Sequence, residues 1–367
     1  MSPTRTLSDD ERLDWLRLAR TPRVGPVTFD RLMTRFGSAR EALAALPGFG
    51  AKRPNPPPVD EIKREIDATV DYGARLVCAI EPDFPALLRA LGPPPPVLTC
   101  LGKIALGSAP SVAMVGARDA SAAGRKLARD IAVQLGLNGL VTVSGLARGI
   151  DGEVHAASLA TGTVAVLGGG IDHIYPPQHE RLYAAIAGEG LIITESPFGY
   201  RAQARDFPRR NRIITGLAVG TVVIEAAERS GSLISARTAG EQGREVMAVP
   251  GSPLDPRAAG TNRLLRDGAV LVRNADDIIE AISDLSQAGM RAPPPPTYVS
   301  EPGSDDDLPT EQIDAVHQAL SPAPMPIDEL ARAAGIGAGR CAAILMELEL
   351  LGEAETLPGG LACRAAA

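Results

Sequence analysis

Aromatic residues are scarce, 3% of 367 residues with a single Trp, so no extended platform of stacked rings can run along the chain. Cysteine is scarcer still. Cys78, Cys100, Cys341 and Cys363 form no Cys-x-x-Cys pair, and only four histidines could join them. A zinc-ligand spacing or a disulfide framework is therefore not what organises the fold, and no metal or cofactor is expected. No uncharged apolar run reaches the about 20 residues that a membrane span needs. The opening residues carry no apolar stretch of signal-peptide type, and with the unpaired cysteines this points to a cytoplasmic protein. A general surplus of positive charge is missing too. The net charge is −7, so any nucleic-acid site must be a local basic patch. Lysine supplies only four of the 37 basic residues; the arginine bias fits a GC-rich genome and by itself assigns nothing.

What is present is a chain able to bury a core, with 45% hydrophobic and 22% charged residues and length for two to three domains. Proline runs at 56–58, 93–96 and 293–296 read as extended linkers. The segment 286–308, rich in Pro, Gly, Ser and Asp, is the clearest boundary. This divides the chain into 1–70, a small helical domain with net charge +2; 75–285, the core; the linker 286–308; and 309–367, with net charge −5. In the first of these, glycine turns at Val24-Gly25 and Gly48-Phe49-Gly50 have the spacing of a tandem helix-hairpin-helix, whose backbone N–H groups approach DNA phosphates. A helical bundle for protein contacts fits equally. The last segment reads as three helices and a terminal β-hairpin, a winged-helix pattern. Its recognition helix, 339–351, holds Arg340 but also Glu347 and Glu349, so protein contact suits it better than duplex DNA.

The core alternates near-continuous apolar runs with amphipathic segments. Strands are expected at 111–115, 140–143, 163–167, 191–194, 220–224, 245–249 and 269–272, and helices at 121–137, 149–160, 178–187, 211–218 and 232–243. The repeat specifies an α/β fold, a Rossmann-like doubly wound parallel sheet whose ligands meet the loops at its carboxyl edge.

Five such loops stand out. In the first, Gly116 keeps the turn open and Arg118 stands where a dinucleotide fingerprint has glycine, a place from which it can reach a phosphate at the next helix N-terminus. The alternative is an Arg in an ion pair. In the second, Gly145 and Gly149 flank Arg148, and Asp151 suits a helix cap. The third, Gly168-Gly169-Gly170 followed by Asp172 and His173, has no nucleophile at a motif-defined position and reads as a rigid turn. The fourth is a basic run with one aromatic. Arg201, Arg205, Arg209, Arg210 and Arg212 stand against Asp206 alone, Phe207 lies among them, and Asn211 opens a helix. Arginine for phosphates and a ring for a base suit single-stranded nucleic acid. The fifth is the turn Ser230-Gly231-Ser232, an anion-friendly nest, followed by a polar loop at 260–265.

The motifs GARDAS, SGLARGID, LGGGIDHIYPPQH, ITESPFG, FPRRNRIITGLA, IEAAERSGSLISARTAGEQGREVMAVPG and GTNRLLRDGA resemble, in unbroken order over 75–285, the DNA-processing protein A (DprA/Smf) family. The flanks resemble its helical domain of SAM or helix-hairpin-helix type and its winged-helix-like domain. The resemblance implies a non-enzymatic core that binds single-stranded DNA, protects it, forms a homodimer and loads the RecA recombinase during natural transformation. Carried over by motif, Gly116, Arg118, Gly145, Arg148, Gly149, Phe207, Arg209, Arg210, Asn211 and Arg212 would line the DNA pocket. The alternative is a nucleotide-processing enzyme like the phosphoribohydrolases. Those carry a PGGxGTxxE signature where this chain has Glu228-Arg229-Ser230-Gly231-Ser232.

Overall fold

The structure, a computed structural model, describes residues 4–46, 55–287, 310–357 and 360–365. The turn expected at Gly48-Phe49-Gly50, and all but the first two residues of the linker 286–308, lie outside them.

Near the amino end run α1 Asp9–Ala19, α2 Pro26–Phe36, α3 Ala39–Ala45 and α4 Val59–Asp71. There follow β1 Arg75–Cys78, α5 Ala86–Arg89, β2 Val97–Gly102, β3 Ser111–Val115, α6 Ala122–Leu137, β4 Val141–Ser144, α7 Ile150–Ser158, β5 Thr163–Val166, α8 Glu180–Glu189 and β6 Leu191–Thr194. Next come α9 Asp206–Leu217, β7 Gly220–Val223, α10 Gly231–Glu241, β8 Glu245–Ala248, α11 Ala259–Arg266, β9 Val270–Leu271 and α12 Ala275–Gln287. The last elements are α13 Thr310–Ala319, β10 Met325–Pro326, α14 Ile327–Ala333, α15 Ala338–Leu351, β11 Ala354–Leu357 and β12 Leu361–Arg364. Two compact units result: a larger one built on the main sheet, and a smaller one joining α1–α3 to the carboxyl-terminal elements.

In the larger unit the strand order is β1-β2-β6-β5-β4-β3-β7-β8-β9. The run β6 to β9 is parallel, as the apolar strands required, while β1 and β2 are antiparallel additions. Each expected strand is found with its ends within one residue, and α6, α7, α8 and α10 within two. The two faces follow from side-chain alternation along β3. Val112 and Met114 pack against Ile131 and Leu135 of α6, Ile150 of α7 and Ile278 of α12. Ala113 and Val115 face Ile213 and Leu217 of α9 and Ala236 of α10. Burying each such branched side chain stabilises the fold by about 1.5–3 kcal/mol. Chain order reverses at β3, which has β4 on one side and β7 on the other, so a crevice opens between the loops that follow β3 and β7.

Two expectations need correcting. The helix read as starting at Asn211 begins at Asp206, so most of the basic run is helical and its arginines point in different directions. The stretch 260–265, read as a loop, lies in α11; the Gly260 N–H donates to Ala226 O at 2.8 Å, and packing under that strand end overrides the local Gly-Thr-Asn composition.

In the smaller unit Ser8 caps α1 in a reciprocal box with Glu11, and Trp15 meets Phe29 of α2 with ring centroids 4.9 Å apart. The carboxyl-terminal part has the expected winged-helix order. β11 and β12 form the antiparallel wing and β10 adds a short third strand to it.

Candidate functional site

The crevice at the switch point is a groove of about 850 Å³, walled by Arg118 after β3, Asp151 after β4, Tyr175 after β5, Phe207 and Asn211 on α9, and Arg229 after β7. A recess of about 240 Å³ lined by Arg118, Arg148 and Tyr175 adjoins it.

The helix that starts beside Arg118 is not open to a phosphate. Glu225 takes the anion's place at the N-terminus of α6. Its carboxylate accepts from the Ser121 N–H at 2.9 Å and from the Ser121 hydroxyl, and that hydroxyl in turn accepts from the Gly124 N–H at 2.8 Å. A Cβ on Gly124 would fall 2.6 Å from the Glu225 carboxyl. The expectation that Arg118 addresses a phosphate bound at this helix is thereby corrected: the protein supplies its own anion there.

The second correction concerns the glycines and Asp151. The loops after β3 and β4 are laced to each other rather than held open. A Cβ on Gly116 would strike Ile150 at 2.5 Å. One on Gly149, at φ +79, would strike Ala117 O at 2.2 Å, while Ile150 N–H donates to that same oxygen. Gly145 makes room for Arg210, whose guanidinium atoms lie 2.6–2.7 Å from where its Cβ would stand. Asp151 does not cap α7. It is buried, and one of its carboxylate oxygens accepts from the Gly145 and Ala147 N–H groups, both at 3.2 Å. Burial raises its pKa, and Arg210 and these N–H groups hold it back.

Arg210 turns inward. It is 5% exposed and donates Nη1 to Gly145 O at 2.6 Å and to Val166 O, tying α9 to the ends of β4 and β5. Burial pulls its pKa down to about 10, with Asp151 opposing, so it stays charged at neutral pH.

The rest of the basic run also divides. Arg209 and Arg212 both reach Glu195 after β6, Arg209 Nε at 3.3 Å, so one carboxylate offsets part of the charge of two arginines and Arg209 stays exposed. Asn211 lines it. Arg201 and Arg205 are exposed. Phe207 is the hub, half-buried, with Tyr175 at 5.6 Å between centroids, the Arg118 guanidinium over the ring at 5.4 Å and that of Arg210 at 6.0 Å. Arg148 lies 3.9 Å from Asp119, both exposed. Arg118 and Arg229 are exposed on the groove and make no ion pair among the described residues.

Two wall residues, Tyr175 and Arg229, were not read as site residues from sequence. Both lie in strand-end loops that the doubly wound pattern marks, and that position was the available signal.

The described residues that line the groove include no histidine and no cysteine. His155 is a buried helix residue, with Nδ1 2.7 Å from Thr163 Oγ1. Asp172 accepts from the Gly199 N–H at 2.8 Å, part of the rigid turn after β5. Among the described residues, no group of three His, Cys, Asp or Glu side chains could hold a metal ion, and no helix is long and apolar enough to cross a membrane.

Known proteins resemble this chain along most of its length. The family model described as DNA recombination-mediator protein A matches residues 75–283, a DprA-like N-terminal HHH domain matches 9–68, and a DprA winged helix domain matches 292–360. Protein Smf of Synechocystis is 32% identical, over 96% of this chain and 98% of its own length. A putative DNA processing protein DprA of Mycobacterium tuberculosis is 36% identical, over 92% of this chain and 87% of its own. Among solved structures, DNA processing protein A of Streptococcus pneumoniae aligns with TM-score 0.63 at 31% identity, covering 75% of this chain and 98% of that one. DNA processing protein A of Helicobacter pylori, from a study of its unique single-stranded DNA binding mode, aligns with TM-score 0.53 at 28% identity, covering 57% and 96%.

Proposed function

Since the chain belongs to the DNA recombination-mediator protein A (DprA/Smf) family, we propose that its switch-point groove binds single-stranded DNA without chemically changing it, and that the protein protects the strand and passes it to the RecA recombinase in recombination and natural transformation. The observation that carries this reading is the juxtaposition of Phe207 and Tyr175 with two exposed, unpaired arginines, Arg118 and Arg229, on one groove of an acidic molecule. Phosphates sit on Arg118, Arg229 and Arg148, and a base takes the Phe207 face as Arg118 swings out to its phosphate. Asn211 contributes polar reach from α9. Gly116, Gly145, Gly149 and Arg210 shape the wall. Arg209 and Arg212 act through Glu195, which fixes the far side of α9. The single-stranded DNA binding of the Helicobacter pylori relative supports the ligand class.

An enzymatic reading loses one phosphate site, because Glu225 fills the start of α6. For self-association, we propose a homodimer through the β8–β9 side of the sheet, where Leu254 and Leu271 are exposed.

The test is fluorescence anisotropy with a labelled oligothymidine at several salt concentrations. Arg118→Ala and Arg229→Ala should each weaken binding and flatten the salt slope by about 0.7 per lost phosphate contact. Affinity and slope unchanged in both variants would overturn the assignment of the groove. For RecA, strand exchange started on coated single strands should speed up with the wild type and not with Arg118→Ala.

A further inference from the structure

The third helix of the carboxyl-terminal winged helix is not left to solvent. In the smaller unit, α2 packs along α15. Glu349, in the last turn of α15, has a side chain only 15% exposed and is held from both sides. Thr28 of α2, itself 1% exposed, donates its hydroxyl to Glu349 Oε2 at 3.0 Å. Thr356 of β11 donates its N–H at 3.3 Å and its hydroxyl at 2.9 Å to Oε1. Arg31 of α2 places Nη1 3.9 Å from Oε2, and that nitrogen is shielded from solvent without a hydrogen-bond partner of its own. Two further contacts repeat the pattern. Arg35 of α2 acts on the Glu347 carboxyl of α15, offsetting part of the upward pull of burial. The Arg23 guanidinium comes within 3.3–3.5 Å of where a Cβ on Gly352, the residue that ends α15, would stand.

Charge agrees with contact. Residues 1–70 carry net +2 and residues 309–367 carry net −5. A half-buried carboxylate satisfied by two domains at once is built to meet protein, and it would repel a phosphate.

We infer that the working surface of the winged-helix domain is a protein-docking surface, that its occupant is the amino-terminal helical domain of the same chain, and that Glu349 is its central contact. The acidic domain serves to hold the two ends of the chain as one body, and α15 does not read duplex DNA.

The test uses the full chain, dilute, with isotopically heavy and light protein mixed in equal parts. Arg31→Lys sets an amine beside Glu349, and carbodiimide coupling should join α2 and α15 peptides, each linked pair of a single isotope by mass spectrometry. The link should vanish in Arg31→Lys combined with Glu349→Gln. Absence of the link in Arg31→Lys, or linked pairs of mixed isotope, which would make the occupant a second copy, overturns the inference. A second arm measures duplex binding by gel shift. Arg340→Ala, on the exposed start of α15, should change affinity by less than about twofold; a loss of about tenfold would assign the helix to DNA and overturn the inference.

Discussion

The Glu225 carboxylate and the Ser121 amide are bound to each other at 2.9 Å across the mouth of the main sheet. The pair joins the loop after β7 to the first turn of α6, on either side of the switch point. It thus closes a site where many doubly wound sheets take a nucleotide, and leaves Arg118 and Arg229 as exposed cations on the groove beside it.

Removing that carboxylate should loosen the mouth and expose an anion site. Glu225→Ala is expected to lose about 1–2 kcal/mol in urea unfolding, through the carboxylate's lost bonds to Ser121 and the uncompensated helix dipole. Inorganic phosphate should then raise the Tm of the variant and leave the wild type unchanged. Equal phosphate responses would mean that Glu225 does not occupy the site electrostatically.

Arg118 and Arg210 lie on the same ring but should fail in different ways. Arg210→Met leaves Asp151 buried without its cation and should cost about 3–5 kcal/mol of stability. Arg118→Ala should stay within about 0.5 kcal/mol of the wild type, because the side chain is exposed and unpaired. Denaturant curves for the two variants check this directly, before any binding is measured.

Acid should weaken the fold through His155. Burial above all, with the positive fields of His179 and Arg210, pushes its pKa down to about 3, against 6.5 unperturbed. Below pH 6.5 the unfolded chain takes up a proton that the folded chain refuses, so this contribution is full above 6.5 and declines as the pH falls toward 3. The loss reaches about 2 kcal/mol at pH 5. Asp151, shifted upward, acts in the opposite sense above its ordinary range. Comparing His155→Asn with wild type at pH 5 and 7 isolates the histidine, and the variant should show a difference smaller by about that amount.

Phe207 should matter for affinity more than for folding. Phe207→Ala is expected to lose about 1–3 kcal/mol of single-strand binding, and Phe207→Trp to keep most of it. Titration of a labelled oligothymidine measures both, and an alanine variant of wild-type affinity would leave the ring without a stacking role.

The parallel strands were legible because burial on both faces writes itself as short apolar runs; β3 and β6 end at the expected residues. The family was legible in the strand-end loops. The short β1 and β2 were missed, since Val97–Gly102 directly follows a proline run and the two owe their place to tertiary pairing, β2 with the edge of β6 and β1 with β2. In the site, residue types were legible and their partners were not. Nothing local in the basic run tells that Glu195 claims Arg209 and Arg212, or that Gly145 vacates space for Arg210, because those partners arrive through tertiary structure from other strand-end loops.

Arg210 is in effect a rivet between one helix and two neighbouring strand ends of the wall, and a riveted wall cannot reshape itself around what enters. The cost of arranging the cleft is met once, during folding, and is not charged again to a ligand that enters. Occupied and empty forms should therefore superimpose along α9 and the ends of β4 and β5, and adaptation should fall to the loose outer side chains, with Arg118 and Arg229 following the strand from phosphate to phosphate.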